Sequence, residues 1–388
     1  MTKWRLKVPA LFLLIPIICL PLSGCWDYRD LESVSIVSGI AVDKVGEPER
    51  YKLTIEIVQG TGGNETKIEP IVVEAEGKTL AEATRNSVEI SNKQLFWAHT
   101  CIAIVSEAVA REGIQPLLDW IARDAEARML IELFVTTEKN AGDVIKAKTK
   151  STETHSQQTL KMIKNNKQIL GKAPSTKTYE FINKLESGKS YPVLPIIKLE
   201  KQEKNEEIVL GGTAVFNGDK YIGIINENDS KYMLFATNNI KDCIIVPSDN
   251  MGSRSSHTSL EITNSNTKIT PVVRNGRLEM DMIIKAYAKI VEDGGDINFS
   301  KPQNLREYQR QVEVFIADNI GRVVTDIQKK YGVDCLNYGI EIAAEKPDEW
   351  VVIRDNWDNE FKDIKTNIWV DLTVSNSGLT SSPVKAGG

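Results

Sequence analysis

Alternation of apolar and polar residues over several stretches predicts β-strands. The segment from Tyr51 to Ile57 alternates in this way near the start of the chain. Every second residue from Leu278 to Ile290 is Leu, Met, Ile or Ala, and a shorter alternating segment lies at 368–374. The segment over 278–290 therefore predicts one long strand with a single buried face, and a further strand lies near the end of the chain.

A second period, of three and four residues, predicts one long helix. Apolar residues recur at these steps from Leu305 to Tyr331, after Pro302 and before Gly332. Proline favours the first turn of a helix and glycine favours its end, so we expect a helix over about 302–331. A stripe of this length suits either the seam of a coiled coil or packing on a sheet. We favour packing on the sheet that contains the long strand.

Charged and serine-rich runs divide the chain into three predicted domains. Strand and helix patterns alternate over 25–200, which predicts an N-terminal α/β domain. Seven charged residues between Lys198 and Glu207 predict a linker or an exposed edge. A hairpin pattern and a short helix follow, and they predict a small middle domain over 206–255. The end of this domain falls within the serine-rich loop 248–259. The remainder, 256–388, is predicted to form a C-terminal α+β domain.

The first residues have the pattern of an export signal. Basic residues precede an uncharged run of 15 residues from Val8 to Leu22, whereas a helix that spans a bilayer needs about 20 apolar residues. Residues 1–24 are therefore predicted to be a signal peptide. The segment Leu22-Ser23-Gly24-Cys25 resembles the lipobox of bacterial lipoproteins, which implies that Cys25 becomes an N-palmitoyl and S-diacylglycerol cysteine. The alternative is a plain secretory signal followed by a chance cysteine.

Composition excludes several classes of protein. The 388 residues carry a net charge of −5, and 41% of them are hydrophobic, which argues against disorder throughout the chain. The acidic balance argues against a nucleic-acid-binding protein, because phosphates attract clustered Lys and Arg. The sequence lacks the common zinc, CxxC, phosphate-loop and nucleophile-elbow motifs. We therefore expect no catalytic residue, no metal site and no cofactor.

The histidines and the later cysteines are predicted to be structural. His99 is the first candidate for a catalytic or ligand-binding residue. A catalytic histidine needs a carboxylate or a second histidine nearby, and the sequence offers neither. We interpret His99 as packed at a strand start with a structural hydrogen bond, and His155 and His257 as solvated. The later cysteines are odd in number and widely spaced, so we expect buried, unpaired thiols; they are Cys101, Cys243 and Cys335.

Short motifs follow one another along the chain in an order and spacing that resemble the Ger(x)C family, the C-subunit lipoproteins of spore germinant receptors. Each motif is weak alone, and the order makes the set specific. In sequence they are Gly24-Cys25-Trp26-Asp27 with Leu31, Val37-Ser38-Gly39-Ile40, Asp43-Lys44, Gly77-Lys78-Thr79-Leu80 with Glu82-Ala83, Phe96-Trp97-Ala98-His99, Ile104-Val105-Ser106-Glu107, Arg123-Asp124, Tyr331-Gly332-Val333-Asp334, Gly339, Trp357 and Phe361. Asp30 stands where the family pattern has Glu, and Cys335-Leu336-Asn337-Tyr338 is more polar than that pattern.

The resemblance implies both a fold and a function. The implied fold is α+β and elongated, with three mixed α/β domains and largely antiparallel sheets. The implied function is that of a lipid-anchored, non-catalytic subunit of a nutrient germinant receptor, which helps to trigger spore germination through protein–protein contacts. Its implied partners are the integral membrane A and B subunits of the receptor. Its implied place is the outer face of the spore inner membrane, held there by lipid.

Two other functions remain as alternatives. An extracytoplasmic solute-binding lipoprotein of a transporter has the same export signal, but such proteins usually have two lobes of alternating strands and helices, and the C-terminal pattern here favours antiparallel α+β structure. A secreted hydrolase is the third option, and no nucleophile–base arrangement in the sequence supports it.

Overall fold

The computed structural model describes most of the chain after its first 33 residues. The described ranges are 34–46, 48–61, 67–149, 153–202, 205–247, 258–292, 297 and 299–375. Cys25, His257 and most of the serine-rich loop therefore lie outside the described residues. None of the helices within these ranges is both long enough and apolar enough to cross a membrane.

Strands and helices are interspersed along the described chain, and helices predominate after residue 300. The strands are β1 (Val34–Val45), β2 (Arg50–Thr61), β3 (Lys67–Gly77), β4 (Gln94–Phe96), β5 (Ile102–Ser106), β6 (Glu132–Thr136), β7 (Val193–Gln202), β8 (Asn205–Asn217), β9 (Lys220–Ile225), β10 (Cys243–Ile245), β11 (Ser259–Arg274), β12 (Arg277–Glu292) and β13 (Lys365–Ser375). The helices are α1 (Leu80–Ser91), α2 (Glu107–Glu112), α3 (Gln115–Arg123), α4 (Gly142–Ile145), α5 (His155–Asn165), α6 (Thr178–Ser187), α7 (Glu227–Ala236), α8 (Pro302–Asp326), α9 (Tyr338–Glu345), α10 (Pro347–Ile353) and α11 (Trp357–Asp363).

The first nine strands form one sheet, which we call the N-terminal sheet. Its strand order is β3-β2-β1-β5-β6-β7-β8-β9, with β4 paired to β1 beside this path. The pairs at both outer parts are antiparallel, whereas β1, β5, β6 and β7 run parallel to one another. Parallel strands require crossover helices, which cover both faces of the sheet. One apolar cluster includes residues of α1, α2, α3 and α6, and another includes residues of α4 and α5.

The charged segment near residue 200 is part of this sheet. It forms the ends of β7 and β8, where Glu200 pairs with Glu207 and Gln202 pairs with Asn205. The strands on the two sides of the segment are therefore neighbours in one antiparallel hairpin. The sheet crosses the proposed boundary between residues 200 and 206, and the division into three domains stays a prediction.

The last four strands form the C-terminal sheet, in the order β10-β11-β12-β13. The alternation over 278–290 corresponds to β12, which pairs with the equally long β11 through a two-residue turn. Asn275 and Gly276 have φ angles of 52° and 75°, and this left-handed pair is what a tight hairpin turn requires. β13 pairs in parallel with β12, so the prediction of a further strand near the end is confirmed.

The long helix packs on the C-terminal sheet, as predicted. α8 ends at Asp326 and continues as a π-helical turn from Ile327 to Tyr331, and Gly332 ends it in a left-handed conformation. Its apolar stripe belongs to the same core cluster as the inner residues of β12 and β13. Glu313 on α8 also accepts the backbone N–H of Leu372 at 2.9 Å. The mixed α/β fold with one long helix is therefore confirmed.

Candidate functional site

Of the residues singled out from the sequence, two lie outside the described residues and a third is exposed to solvent. Cys25 and His257 lie outside the described residues. His99 is exposed in a short 3₁₀ turn, with its ring centroid 5.8 Å from that of Phe96. The prediction that His99 is packed was wrong, because the turn before β5 directs this side chain to solvent.

The third histidine is half-buried and contacts a buried carboxylate. His155 begins α5, and its Nδ1 lies 3.0 Å from Oε1 of Glu56 in the middle of β2. Its Nε2 lies 2.6 Å from the carbonyl oxygen of Ala147. Both ring nitrogens therefore face acceptors, which favours the doubly protonated imidazolium. The prediction of a solvated His155 was wrong, because the polar helix that it begins lies against the N-terminal sheet.

Glu56 is fully buried and accepts four hydrogen bonds in all. Besides the imidazole, its carboxylate accepts the backbone N–H groups of His155 and Ser156, at 2.8 and 2.9 Å, and the hydroxyl of Ser38 at 2.9 Å. Burial opposes the charge of Glu56, but these donors outweigh it and lower the pKa of the carboxyl. The N-terminus of a helix favours a negative charge, so Glu56 holds α5 against β2.

The contacts of this cluster differ from those of a hydrolase triad. In a triad the histidine contacts the serine hydroxyl with one nitrogen and the carboxylate with the other. Here Ser38 and His155 both contact Glu56, and the second imidazole nitrogen faces the carbonyl of Ala147. The cluster thus joins structural elements and presents no activated hydroxyl.

A second buried carboxylate connects the same sheet to α4. Asp43 on β1 accepts the backbone N–H groups of Ala141 and Gly142 at 2.7 and 2.9 Å. Burial raises the pKa of Asp43, and the two N–H groups offset this only in part. The Asp43-Lys44 motif therefore has a structural role at Asp43, while Lys44 forms an ion pair with Glu112.

Asp334 organises the loop that follows α8. Its buried carboxylate accepts the backbone N–H groups of Leu336, Tyr338 and Gly339, at 2.9, 3.2 and 2.7 Å. Burial raises the pKa of Asp334 to about 6, although the three donors act in the opposite direction. The Asp side chain thereby fixes the turn into α9, as Asx residues do in turns and at helix starts.

The Asp334 loop also joins the two sheets of the protein. Just before β7, Tyr191 donates its backbone N–H to the carbonyl oxygen of Asp334 at 2.7 Å, and the hydroxyl of Ser190 lies 2.9 Å from the same oxygen. The hydroxyl of Tyr191 lies 2.6 Å from Oδ1 of Asp358 on α11. We call this set the junction; it fixes the start of β7 to the C-terminal half of the chain.

The motif residues near the end of the chain lie together at this junction. A side chain on Gly339 would place its Cβ 2.3 Å from the carbonyl oxygen of Lys189 and 3.1 Å from the rings of Trp350 and Trp357. The ring centroid of Trp357 lies 5.9 Å from that of Phe361. Glycine at 339 therefore permits the close packing of α9 against the segment that precedes β7.

The described cysteines are unpaired, as predicted. Cys243 and Cys335 are buried and Cys101 is half-buried. Burial raises the pKa of each thiol to about 12. Within the described ranges, no group of three or more His, Cys, Asp or Glu residues could hold a metal ion.

Sequence reasoning missed the partners in these clusters. It did not single out Glu56, because this residue occupies a polar position in an alternating strand pattern, and such positions are expected to face solvent. Asp334 was part of a quoted motif without an assigned role. The polar Asp334–Asn337 stretch before a helix was the one local signal available, because Asp and Asn favour turns and helix starts.

Two family models match the chain in order and cover most of it. The model described as "Spore germination protein N-terminal domain" matches residues 27–199. The model described as "Spore germination B3/ GerAC like, C-terminal" matches residues 211–378.

Similar proteins and a similar solved structure agree with these models. The chain is 24% identical to Spore germination protein KC of Bacillus subtilis (strain 168), over 97% of each chain. It is also 24% identical to Spore germination protein B3 of the same strain, over 96% of this chain and 99% of that one. The crystal structure of the GerBC protein has a similar fold, with a TM-score of 0.56 and 19% identity over 87% of this chain and 97% of that one. The chain therefore belongs to the Ger(x)C family of spore germination proteins.

Proposed function

We propose that this chain is a lipid-anchored, non-catalytic subunit of a nutrient germinant receptor, and that it acts in spore germination through contacts with the integral membrane A and B subunits. The observation that carries the proposal is the ordered match of both family models, over 27–199 and 211–378. The expected place is the outer face of the spore inner membrane.

The described clusters favour a role in contact over a role in catalysis. Glu56 and Asp334 direct their carboxylate oxygens at backbone N–H groups, so these groups hold structure together and are not aimed at a substrate. The histidine of the buried cluster has acceptors at both nitrogens. A rigid body of this kind suits a protein whose surface binds other proteins.

The lipid supplies the membrane attachment in this proposal. Two acyl chains on a diacylglyceryl cysteine give lasting attachment, where one chain gives marginal attachment. Only nine residue steps separate Cys25 from Val34, at the start of β1. A chain of this length spans at most about 30 Å, so the anchor would hold the N-terminal sheet close to the membrane surface.

The test is replacement of the anchoring thiol. A Cys25→Ala strain should export the protein but lose it from the membrane fraction, and the response of its spores to nutrients should fall. Cys101→Ala is the matched control, because it removes a thiol from the folded part and leaves the anchor in place. A Cys25→Ala protein that stays in the membrane fraction after salt and carbonate washes would contradict the proposed anchor.

A second experiment tests the proposed partners. The wild-type protein, purified from spore membranes in mild detergent, should bring with it two integral membrane proteins that mass spectrometry can identify. Recovery of the chain alone, together with a large rise in melting temperature on addition of one small nutrient, would favour a solute-binding lipoprotein instead, because a ligand that binds the native state stabilises it.

A further inference from the structure

An open cavity lies at one end of the C-terminal sheet. It has a volume of about 580 Å³ and lies between the turn of the β11–β12 hairpin and the helices α10 and α11. Its apolar lining includes Leu278 and Ile353, which also pack against the C-terminal core. The cavity therefore extends the apolar core outward to the surface.

Apolar side chains stand exposed at the mouth of this cavity. Val352 on α10 is 81% exposed and Val273 on β11 is 44% exposed, and both line the cavity. The neighbouring Val351 is 58% exposed. Single exposed apolar residues are ordinary on a protein surface, but a group of them around an apolar cavity marks a binding surface.

The charges around the cavity are mainly negative. Its lining includes four acidic residues and two basic ones. Glu279 and Asp363 already have cationic partners, Arg274 and Lys329. Glu349 has no hydrogen bond or ion pair in the part of the chain that the structure describes. The surrounding segment 338–363 contains eight acidic and three basic residues, so the surface attracts cationic groups and repels anionic ones.

We propose that this cavity, which we call the C-terminal groove, is the docking site for a segment of a partner protein that carries apolar side chains flanked by Lys or Arg. The apolar side chains would fill the groove beside Val352 and Ile353, and the basic side chains would pair with Glu349 and Glu360. The inference rests on the proposed function in one respect: it assumes that the chain acts by binding other proteins.

Charge and shape favour a protein segment over the other possible occupants. Anionic lipid headgroups are attracted by basic surfaces, and the groove has the opposite sign. Specific small-molecule sites are mostly enclosed, with a few polar groups directed inward. The groove is open at Val352, and its charged residues lie on surface helices and at a hairpin turn.

The direct test measures binding of a model peptide to the full chain in discs of zwitterionic lipid. The probe is a fluorescent amphipathic peptide of Leu and Lys, and its control has the same pattern of Leu with Glu in place of Lys. Fluorescence anisotropy should show that the Lys peptide binds at least about tenfold more tightly, a difference of about 1.4 kcal/mol. Its affinity should fall as salt is added, because salt screens exposed charges.

Groove variants and matched controls locate the binding. Glu349→Lys and Val352→Ser should each weaken binding of the Lys peptide about fivefold or more, by loss of a charge or of an apolar contact. Glu307→Lys and Val314→Ser are the controls, since both residues are exposed on α8 and do not line the cavity. Three of the four side chains are exposed and that of Glu349 is half-buried at the surface, so urea denaturation should give nearly the same stability for all variants.

Three outcomes would overturn the inference. These are equal affinity for the Lys and Glu peptides, equal weakening by groove and control variants, and displacement of the Lys peptide by anionic vesicles that bind through Val352. In spores, Val352→Ser should lower the nutrient response while the protein remains in the membrane. A normal response in that strain beside a lost response in Cys25→Ala would reject the groove and leave the proposed function in place.

Discussion

Glu56 on β2 binds His155 twice, through the backbone N–H at 2.8 Å and through Nδ1 of the imidazole at 3.0 Å, although 99 positions separate the two residues. The carboxylate is inaccessible to solvent and the imidazole side chain is 14% exposed. A buried pair of opposite charges is costly to break, because the remaining charge then lacks a partner. The pair therefore fixes α5 to the N-terminal sheet.

This pair predicts a pH-dependent stability. Burial lowers the pKa of His155, but Glu56 outweighs this effect, so the net pKa lies above its ordinary value of 6.5. The protonated imidazole therefore stabilises the fold fully below about pH 6.5, and this stabilisation is lost as pH rises through the raised pKa. Glu56 depends on pH in the opposite way, because its pKa in the folded protein is lowered. Its ionised carboxylate stabilises the fold above the ordinary pKa of 4.5, and this stabilisation is lost as pH falls through the lowered pKa.

The measurement is urea denaturation of wild type and His155→Phe between pH 5 and 9. We expect the substitution to cost about 1–3 kcal/mol near pH 5.5, because it leaves a buried charge less well compensated, and to cost less at pH 9. His99→Phe is the control, since His99 is exposed. Parallel stability curves for wild type and His155→Phe across this range would contradict the charged pair.

Replacement of Asp334 tests the junction. Asp334→Ala leaves three backbone N–H groups without their acceptor, and each unsatisfied buried donor costs about 1–3 kcal/mol. We expect a loss of about 3 kcal/mol or more in the free energy of unfolding. Asp358→Ala removes an exposed hydrogen bond to Tyr191 at the same junction and should cost much less. A loss no greater for Asp334→Ala than for Asp358→Ala would show that the carboxylate does not hold the loop.

Two glycine substitutions should have opposite effects. Gly321→Ala in α8 adds a methyl group whose nearest neighbour is Ile368 Cδ1, at 3.7 Å, and alanine favours a helix by about 1 kcal/mol over glycine. Gly339→Ala brings a methyl group within 2.3 Å of the Lys189 carbonyl oxygen, so the backbone must move. Thermal unfolding should show a higher melting temperature for the first variant and a lower one for the second. An unchanged melting temperature in Gly339→Ala would show that α9 does not approach the Lys189 carbonyl this closely.

The described thiols should react slowly in the folded protein. The thiolate is the nucleophile, and burial raises the pKa of Cys243 and Cys335 to about 12. At pH 7.5 both should resist a maleimide reagent for as long as the fold persists, while Cys101, which is half-buried, should be the first of the three to react. Labelling in urea supplies the comparison, with modified peptides identified by mass spectrometry. Rapid labelling of Cys335 without urea would place the Asp334 loop in solvent.

The regular C-terminal elements could be predicted, whereas the parallel pairing of the central strands could not. Alternation over 278–290 corresponds to β12, which spans Arg277–Glu292, because one face of that strand is buried and the other is exposed. β5 and β6 are buried along their whole length. Strands covered by helices on both faces lose the alternation that identifies a half-exposed strand, so their parallel pairing was not predicted.

The buried clusters escaped prediction for a different reason. A local pattern reports whether a segment is polar, and His155 begins a polar helix, so solvation was the natural interpretation. Its burial depends on Glu56, and the role of Asp334 depends on Ser190 and Tyr191. These partners are distant in sequence, and a single chain without its fold does not reveal them.

The placement of β1 has a consequence for the order in which the chain folds. β1 lies between β2, which follows it directly, and β5, which begins at Ile102. Asp43 on β1 and Glu56 on β2 receive their backbone N–H donors from residues 141, 142, 155 and 156. Within the hairpin of β1 and β2, Glu56 has the Ser38 hydroxyl as a donor, so both carboxylates lack these backbone donors until about 100 more residues have been synthesised. Contacts between residues so distant in sequence slow folding. The N-terminal sheet should therefore be completed late, after the residues that begin it have long been exposed.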